Sequence, residues 1–251
     1  MNIPHPAYRI FPLGDSAITI DFGNTINETV NKEVVARFAQ LQKEPLPGMI
    51  EAVPAYSSLT IYYDVPVVKR FAGNSVTAFD WIQQQLQRIL NQPIQHDQQP
   101  QREIKIPVCY ESEFAPDIRS LANAKNISIE EVIAIHTAKS YQVYMIGFLP
   151  GFPYMGEVDE KIAVPRKAQP QNVMAGSVGI AGKQTGIYPL ASPGGWQIIG
   201  RTPLQLFDAN KSEPTLLKMG DIVRFFSITS KEFYEMQKEG TIKDEGGSVH
   251  E

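Results

Sequence analysis

The chain has 251 residues, 43% of them hydrophobic and 20% charged, the balance of a folded protein with apolar mass for one large or two small cores. Its formal net charge of −4 argues against a general nucleic-acid binder, and no run of about eighteen apolar residues is present to cross a membrane. A single cysteine, Cys109, excludes an intramolecular disulfide framework; the opening MNIPHPAYRI lacks the basic and apolar regions of a secretory signal, so the expected compartment is the reducing cytoplasm.

In chain order, Ser16 to Phe22 reads as a strand, and Val30, Val34, Phe38 and Leu41 mark one face of a helix. Gly48 to Ala55 and Leu59 to Tyr63 are strand candidates, followed by Phe79, Ile82, Leu86 and Ile89 at amphipathic helical spacing. This gives a small N-terminal domain, an α/β sandwich, over residues 1–92. Residues 93–102 are too polar and proline-interrupted to bury anything and read as a linker. A second domain over 103–240 opens with the strand Glu103 to Cys109, then two short helices, the second announced by a capping box of Ser128 and Glu131. Beyond Ser140 the helical period vanishes. Short β-rich runs, Tyr141 to Ile146, Ser177 to Ala181 and Trp196 to Ile199, alternate with Gly/Pro turns and predict a closed or partly closed barrel. A last helix is expected after Thr229, then a frayed polar tail over 241–251. The fold class is α+β.

Between Lys161 and Phe207 stand five basic residues, Lys161, Arg166, Lys167, Lys183 and Arg201, and no Asp or Glu. A positive field focused on a glycine-rich surface suits phosphates or carboxylates; the bland alternative is a set of solvated cations whose acids lie elsewhere in the fold. Within this stretch Ala175-Gly-Ser-Val-Gly-Ile-Ala-Gly-Lys-Gln-Thr-Gly186 is not a Walker A loop, because Ser177 and Gln184 replace the required Gly and Ser/Thr. It is not a nucleophile elbow either, since Ala175 stands where the first glycine is needed. The histidines at 5, 96, 136 and 250 lack metal-ligand spacing, so no structural metal is expected. His136 shares the inward face of Ile129, Val132 and Ile133, which suits a core histidine bonded to a carbonyl or, alternatively, a half-buried proton carrier.

The uncharged segment Gly147-Phe-Leu-Pro-Gly-Phe-Pro-Tyr-Met-Gly156 supplies no acid, base or strong nucleophile. It reads as a shaped wall, with Phe148, Phe152 and Tyr154 divided between a pocket and an apolar surface offered to a partner; a structural loop packed beneath the barrel is the alternative.

Taken as an ordered set, His136, Tyr141-Gln-Val-Tyr144, Gly147-Phe-Leu-Pro-Gly-Phe-Pro-Tyr154, Pro165-Arg166, Ala175-Gly-Ser-Val-Gly-Ile-Ala181, Gln184-Thr-Gly-Ile-Tyr-Pro189, Ser192-Pro-Gly-Gly-Trp196 and Gly200-Arg-Thr202 resemble the allophanate hydrolase subunit 1 family. The likeness runs from Leu13-Gly-Asp-Ser16 to Gly220-Asp-Ile-Val223 and is strongest in kind to the stand-alone bacterial B subunits of 5-oxoprolinase. It implies a C-terminal cyclophilin-like β-barrel and a share in the ATP-dependent opening of 5-oxo-L-proline to L-glutamate, with the isolated chain inactive. It also implies two partners, a KipA-like protein of the allophanate hydrolase subunit 2 type (the 5-oxoprolinase C subunit) and a LamB/YcsF-type protein (the 5-oxoprolinase A subunit). ATP would come with Mg and be bound mainly by or with the partner. On this reading His136, Arg166 and Arg201 are catalytic, Gln184, Thr185, Ser192 and Lys183 bind substrate or anion, and Phe148, Phe152 and Tyr154 face the partner. A second reading, from the kinase-inhibitor branch of the same family, is a regulatory protein that docks on a sporulation sensor histidine kinase.

Overall fold

A computed structural model describes residues 8–23, 28–93 and 101–245, without the side chains of 240–245. The chain divides into two compact units at Pro100 and Gln101.

In the first unit, strands β1 (Arg9–Pro12), β2 (Ala17–Asp21), β3 (Met49–Pro54) and β4 (Ser58–Tyr63) form one antiparallel sheet in the order β1-β2-β4-β3. Helices α1 (Glu28–Lys43), α2 (Val65–Ala72) and α3 (Ala78–Leu90) complete it. Alternation puts Ile18, Ile20, Leu59, Ile61 and Tyr63 into one core with Val34, Leu41, Val68, Ile82 and Leu86. Two elements escape periodicity. β1 is a four-residue edge strand ending in Pro12, where a missing N–H costs no ladder bond. α2 carries its proline in the first turn, where that N–H would be unpaired anyway, and is capped by Asp64 accepting from Val67 N–H at 2.8 Å.

The second unit holds β5 (Glu103–Cys109), α4 (Ile118–Lys125), α5 (Ile129–Ala138), β6 (Ser140–Ile146), β7 (Pro153–Gly156), β8 (Gln171–Val173), β9 (Ser177–Ala181), β10 (Gln184–Ile187), β11 (Ser192–Gly194), β12 (Gln197–Arg201), β13 (Ile222–Ile228) and α6 (Ser230–Glu245). Seven strands close a barrel in the order β10-β7-β6-β13-β5-β12-β9, and β8 pairs with β11 in a separate ribbon. The barrel expected from the Gly/Pro-punctuated runs is therefore present. Inward side chains Ile106, Val108, Tyr141, Val143, Met155, Val178, Ile180, Ile187, Ile199, Val223 and Phe225 fill it.

The capping box forms: Ser128 Oγ accepts from Glu131 N–H at 3.1 Å and the Glu131 carboxylate accepts from Ser128 N–H at 2.8 Å. Two elements run differently from expectation. The stretch Gly147 to Gly156 is a loop only in its first half, its second half being the barrel strand β7. α6 continues to Glu245, beyond the expected domain end at 240, and carries Gly240 within it. His5, His96, His250 and the rest of the expected tail lie outside the described residues.

Candidate functional site

The strands β7, β9 and β10 have two faces, and the candidate residues divide between them. On β10, Thr185 and Ile187 point into the barrel while Gln184 and Gly186 point out. On β9, Val178 and Ile180 point in, and Gly179 and Ala181 point out. Outside the wall, over the two glycines, sits a second small core of Phe152, Val173, Ala181, Tyr188, Trp196 and Ile198, with Leu149 and Tyr154 against it.

Glycine makes this stacking possible. A Cβ on Gly186 would lie 3.0 Å from both the Phe152 and Trp196 rings, and one on Gly194 would lie 2.3 Å from the Tyr188 hydroxyl. Phe152 is the hub, meeting Tyr188 and Trp196 edge-on at 5.1 and 5.3 Å and Tyr154 at 4.7 Å. The glycines of this stretch thus serve packing and turns: Gly186 makes room for the Phe152 and Trp196 rings, Gly176, with φ +82°, lies close against Thr202 O, and Gly182, with φ +60°, makes the two-residue turn between β9 and β10. Phe152 is fully buried, so it supports the wall from beneath and is not itself a partner surface. Tyr154 is half-buried and Phe148 is 64% exposed.

Arg166 lies on top of this cluster, its guanidinium carbon 5.9 Å from the centroid of Trp196. Burial raises the Tyr154 and Tyr188 phenols above the usual tyrosine range, and Arg166 pulls against that in both, which places its charge near both hydroxyls. The Trp196 backbone pulls the Tyr188 phenol the same way as Arg166. Lys167 N–H donates to Gly195 O at 2.7 Å, so the Arg166 segment runs beside the Gly-Gly-Trp turn, and Gln197 donates to Pro165 O at 3.2 Å.

The acid-free stretch is partly neutralised from outside itself. Lys167 pairs with Asp117 at 2.6 Å and Lys183 pairs with the Glu160 carboxylate at 2.5 Å, which holds that carboxyl below its ordinary range. Among the described residues, Arg166 and Arg201 have no such carboxylate. Yet these two do not share a site. Arg166 packs against Trp196, just before β12, whereas Arg201 is the last residue of that strand. Arg201 donates from Nε to Ala175 O at 2.7 Å and lies over the Phe233 ring of α6 at 5.7 Å. That is a bracing position.

His136 and Thr185 are fully buried on the inner face. Nδ1 is 2.7 Å from the Tyr110 hydroxyl, Nε2 is 3.1 Å from Thr185 Oγ1, and the ring stacks on Phe225 at 4.6 Å. Burial depresses the imidazole pKa to about 3, so it is neutral and sealed, a core histidine with side-chain partners instead of the expected carbonyl. The outward group therefore gathers Arg166, Tyr154 and Gln184 on the face of the aromatic cluster, with half-buried Ser192 on the adjoining ribbon; it leaves out His136, Thr185, Lys183 and Arg201. Sequence reading passed over Trp196 and Tyr188 as site walls, although the Ser-Pro-Gly-Gly-Trp motif carried the signal. It had no means of finding Asp117, which is 50 residues from the lysine it neutralises.

Among the described residues, no group of three or more His, Cys, Asp or Glu could hold a metal ion, and no helix is long and apolar enough to cross a membrane.

Residues 8–217 match the family described as carboxyltransferase domain, subdomain C and D. The chain is 45% identical over 234 residues to the 5-oxoprolinase B subunit of Bacillus subtilis, covering 92% of this chain and 98% of that protein. It is 37% identical over 218 residues to the 5-oxoprolinase B subunit of Escherichia coli O157:H7, covering 86% and 94%. The crystal structure of TTHA0988 superposes with a TM-score of 0.73 at 35% identity over 85% of this chain, which spans only 40% of the TTHA0988 chain.

Proposed function

The chain belongs to the carboxyltransferase domain, subdomain C and D family, and from that premise we propose that it is one subunit of an ATP-dependent 5-oxoprolinase. The observation that carries this reading is the likeness, over almost their full length, to two proteins named as the B subunit of 5-oxoprolinase. The outer aromatic cluster supplies a candidate position for the chemistry.

The proposed reaction opens an unstrained lactam. Its amide oxygen takes the γ-phosphoryl group of ATP and ADP leaves; water then adds to the activated carbon, the ring C–N bond breaks as the nitrogen takes a proton to become the amine, and a second water hydrolyses the resulting acyl phosphate to release phosphate and leave glutamate. Negative charge is present on the substrate carboxylate throughout and is transferred with the phosphoryl group. A guanidinium answers both with a planar two-donor fork, and Arg166 is the cation of the cluster that no carboxylate neutralises among the described residues. Half-buried Tyr154 presents ring surface beside it, Trp196 lies buried under the guanidinium, and Gln184 and Ser192 offer polar contacts. This chain's described residues do not fit a resident magnesium site, so in this reading the ion enters with the nucleotide, bound mainly by or with another subunit.

The test is reconstitution. This chain, a subunit 2-type protein and a LamB/YcsF-type protein are purified separately, and 5-oxoproline-dependent release of phosphate and glutamate is measured singly and in all combinations. Turnover is expected only when all three are mixed. Its absence from the three-component mixture, with all three folded, refutes the reading.

A further inference from the structure

Arg166 is exposed and stands on an irregular segment, with no strand or helix over 165–170. A long side chain on such a segment holds an anion poorly, because loop and rotamer freedom must both be lost on binding. The two residues flanking Arg166 are nevertheless bonded to the two residues flanking Trp196. Lys167 N–H donates to Gly195 O at 2.7 Å, and Gln197 Nε2 donates to Pro165 O at 3.2 Å.

A third fastening comes from a charge pair. Lys167 is half-buried between exposed neighbours, and its ammonium meets Asp117 Oδ2 at 2.6 Å and Gln171 Oε1 at 2.8 Å. The same Asp117 oxygen accepts from Ile198 N–H at 2.6 Å, and Asp117 N–H donates back to Ile198 O at 3.0 Å. Asp117 occupies the N-cap position of α4, where an aspartate ordinarily accepts from the first turn of its own helix, but its side chain makes no such bond. The helix forgoes its cap, and the carboxylate joins β12 to Lys167 instead. The two side chains are only 12% and 17% exposed, so their attraction is screened far less than that of a surface pair, and either charge left alone would be costly.

We propose that Lys167 and Asp117 are positioning residues for the anion site: their ion pair fixes the 165–167 segment against β12 and so holds the Arg166 guanidinium over Trp196 before the ligand arrives. The pair acts through Arg166, without touching the ligand itself. The fastening rests on the bonds just described; its consequence for turnover rests on the function proposed above.

The test uses Lys167→Met, which keeps the stem and removes the charge, Asp117→Asn, which keeps an acceptor for Ile198 N–H, and Lys167→Arg, which keeps the pair. Hydrogen exchange on the full-length chain reads the fastening directly. The amide of residue 167 should exchange about tenfold faster in Lys167→Met and Asp117→Asn than in wild type, while the amides of β5 and β13 keep their wild-type rates. In the reconstituted three-component enzyme, kcat/KM for 5-oxoproline should fall about tenfold in both variants and stay within about twofold of wild type in Lys167→Arg. Lys167→Met added to Arg166→Ala should cost no more than about a further twofold, because the pair acts through Arg166. A further tenfold loss in that background overturns the inference by giving Lys167 a role of its own. Wild-type exchange at residue 167 in both charge-removing variants overturns it by showing the segment held without the pair, as does unchanged turnover in both. If Lys167→Met fails to fold, Asp117→Asn carries every arm alone. Faster exchange at residue 167 in the variants, together with a wild-type mixture that shows no 5-oxoproline-dependent ATP hydrolysis, would refute the reaction and leave the fastening standing.

Discussion

The Tyr110 hydroxyl lies 2.7 Å from Nδ1 of His136, and both side chains are buried. The direction of every proton in the chain follows from its far end. Thr185 Oγ1 donates to Gly179 O at 3.1 Å, so it accepts from Nε2–H, and Nδ1 is left to accept from Tyr110. Each group is satisfied only with a neutral imidazole. A protonated ring would carry a second N–H towards Tyr110, whose phenol burial already holds well above its ordinary range.

This fixes a pH dependence. The unfolded imidazole takes up a proton below about 6.5, whereas the folded one resists until about pH 3. Between those values the unfolded state holds more protons, so stability falls as pH drops, by at most about 1.4 kcal/mol per unit from this group. Denaturant titrations at pH 7, 6, 5 and 4 should show a steeper decline in wild type than in His136→Gln, each referred to its own pH 7 value. Equal slopes would mean that His136 is not the group responsible.

The barrel was legible because its strands are short, β-rich and separated by Gly/Pro turns. The site was less so. The glycines at 186 and 194 were visible as a pattern, but what each lacks a Cβ to accommodate is an aromatic ring from elsewhere in the chain, a relation no local spacing encodes. The acid-free stretch left open whether its five cations were free or had acids elsewhere in the fold, and Asp117 and Glu160, outside it in sequence, neutralise two. His136 was correctly placed on an inward face, yet its partners Tyr110 and Thr185 stand 26 and 49 residues away.

Gly194 offers a direct check of the aromatic cluster. In Gly194→Ala the added methyl would meet the Tyr188 hydroxyl and ring, which are buried, so accommodation must come from the cluster. A loss of about 1–3 kcal/mol is expected, as for overpacking in a core. Gly182→Ala is the control: its Cβ meets nothing within 4 Å, so only the strain of φ +60° remains, at about 1 kcal/mol. Thermal melts that rank Gly182→Ala as the more damaging would contradict this packing.

Arg37 anchors the first unit. Although only 1% exposed, it bonds Glu33 at 2.9 Å and the carbonyls of Ile89, Leu90 and Gln92 at 2.8, 3.0 and 3.0 Å, tying α1 to the end of α3. Arg37→Leu leaves a buried carboxylate and several carbonyls without this donor, and should cost about 3 kcal/mol. Calorimetry of the full chain should show the loss; a melting profile like wild type would reject the assignment.

The two arginines of the acid-free stretch, neither of which has a carboxylate partner among the described residues, should separate in experiment. Arg166 is exposed on the outer cluster and makes only a cation–π contact of about 0.5–1 kcal/mol, so Arg166→Ala should leave the melting temperature within a few degrees of wild type. If its guanidinium holds the substrate carboxylate or the transferred phosphoryl group, turnover of the reconstituted enzyme should fall about a hundredfold. Arg166→Lys should recover little, because an ammonium cannot form the two-donor fork. Arg201 presents the opposite case. Its Nε holds the Ala175 carbonyl ahead of β9, and its plane covers Phe233, so Arg201→Ala removes a bond and a ring contact that fasten the 175–177 turn and α6 to β12. A stability loss of about 1–2 kcal/mol is expected, with turnover of the folded fraction near wild type. Melting temperature, partner affinity and steady-state turnover measured on both variants decide the assignment. A hundredfold loss of turnover in Arg201→Ala at unchanged stability would move the anion site to the far end of β12, and wild-type turnover in Arg166→Ala would remove it from the aromatic cluster.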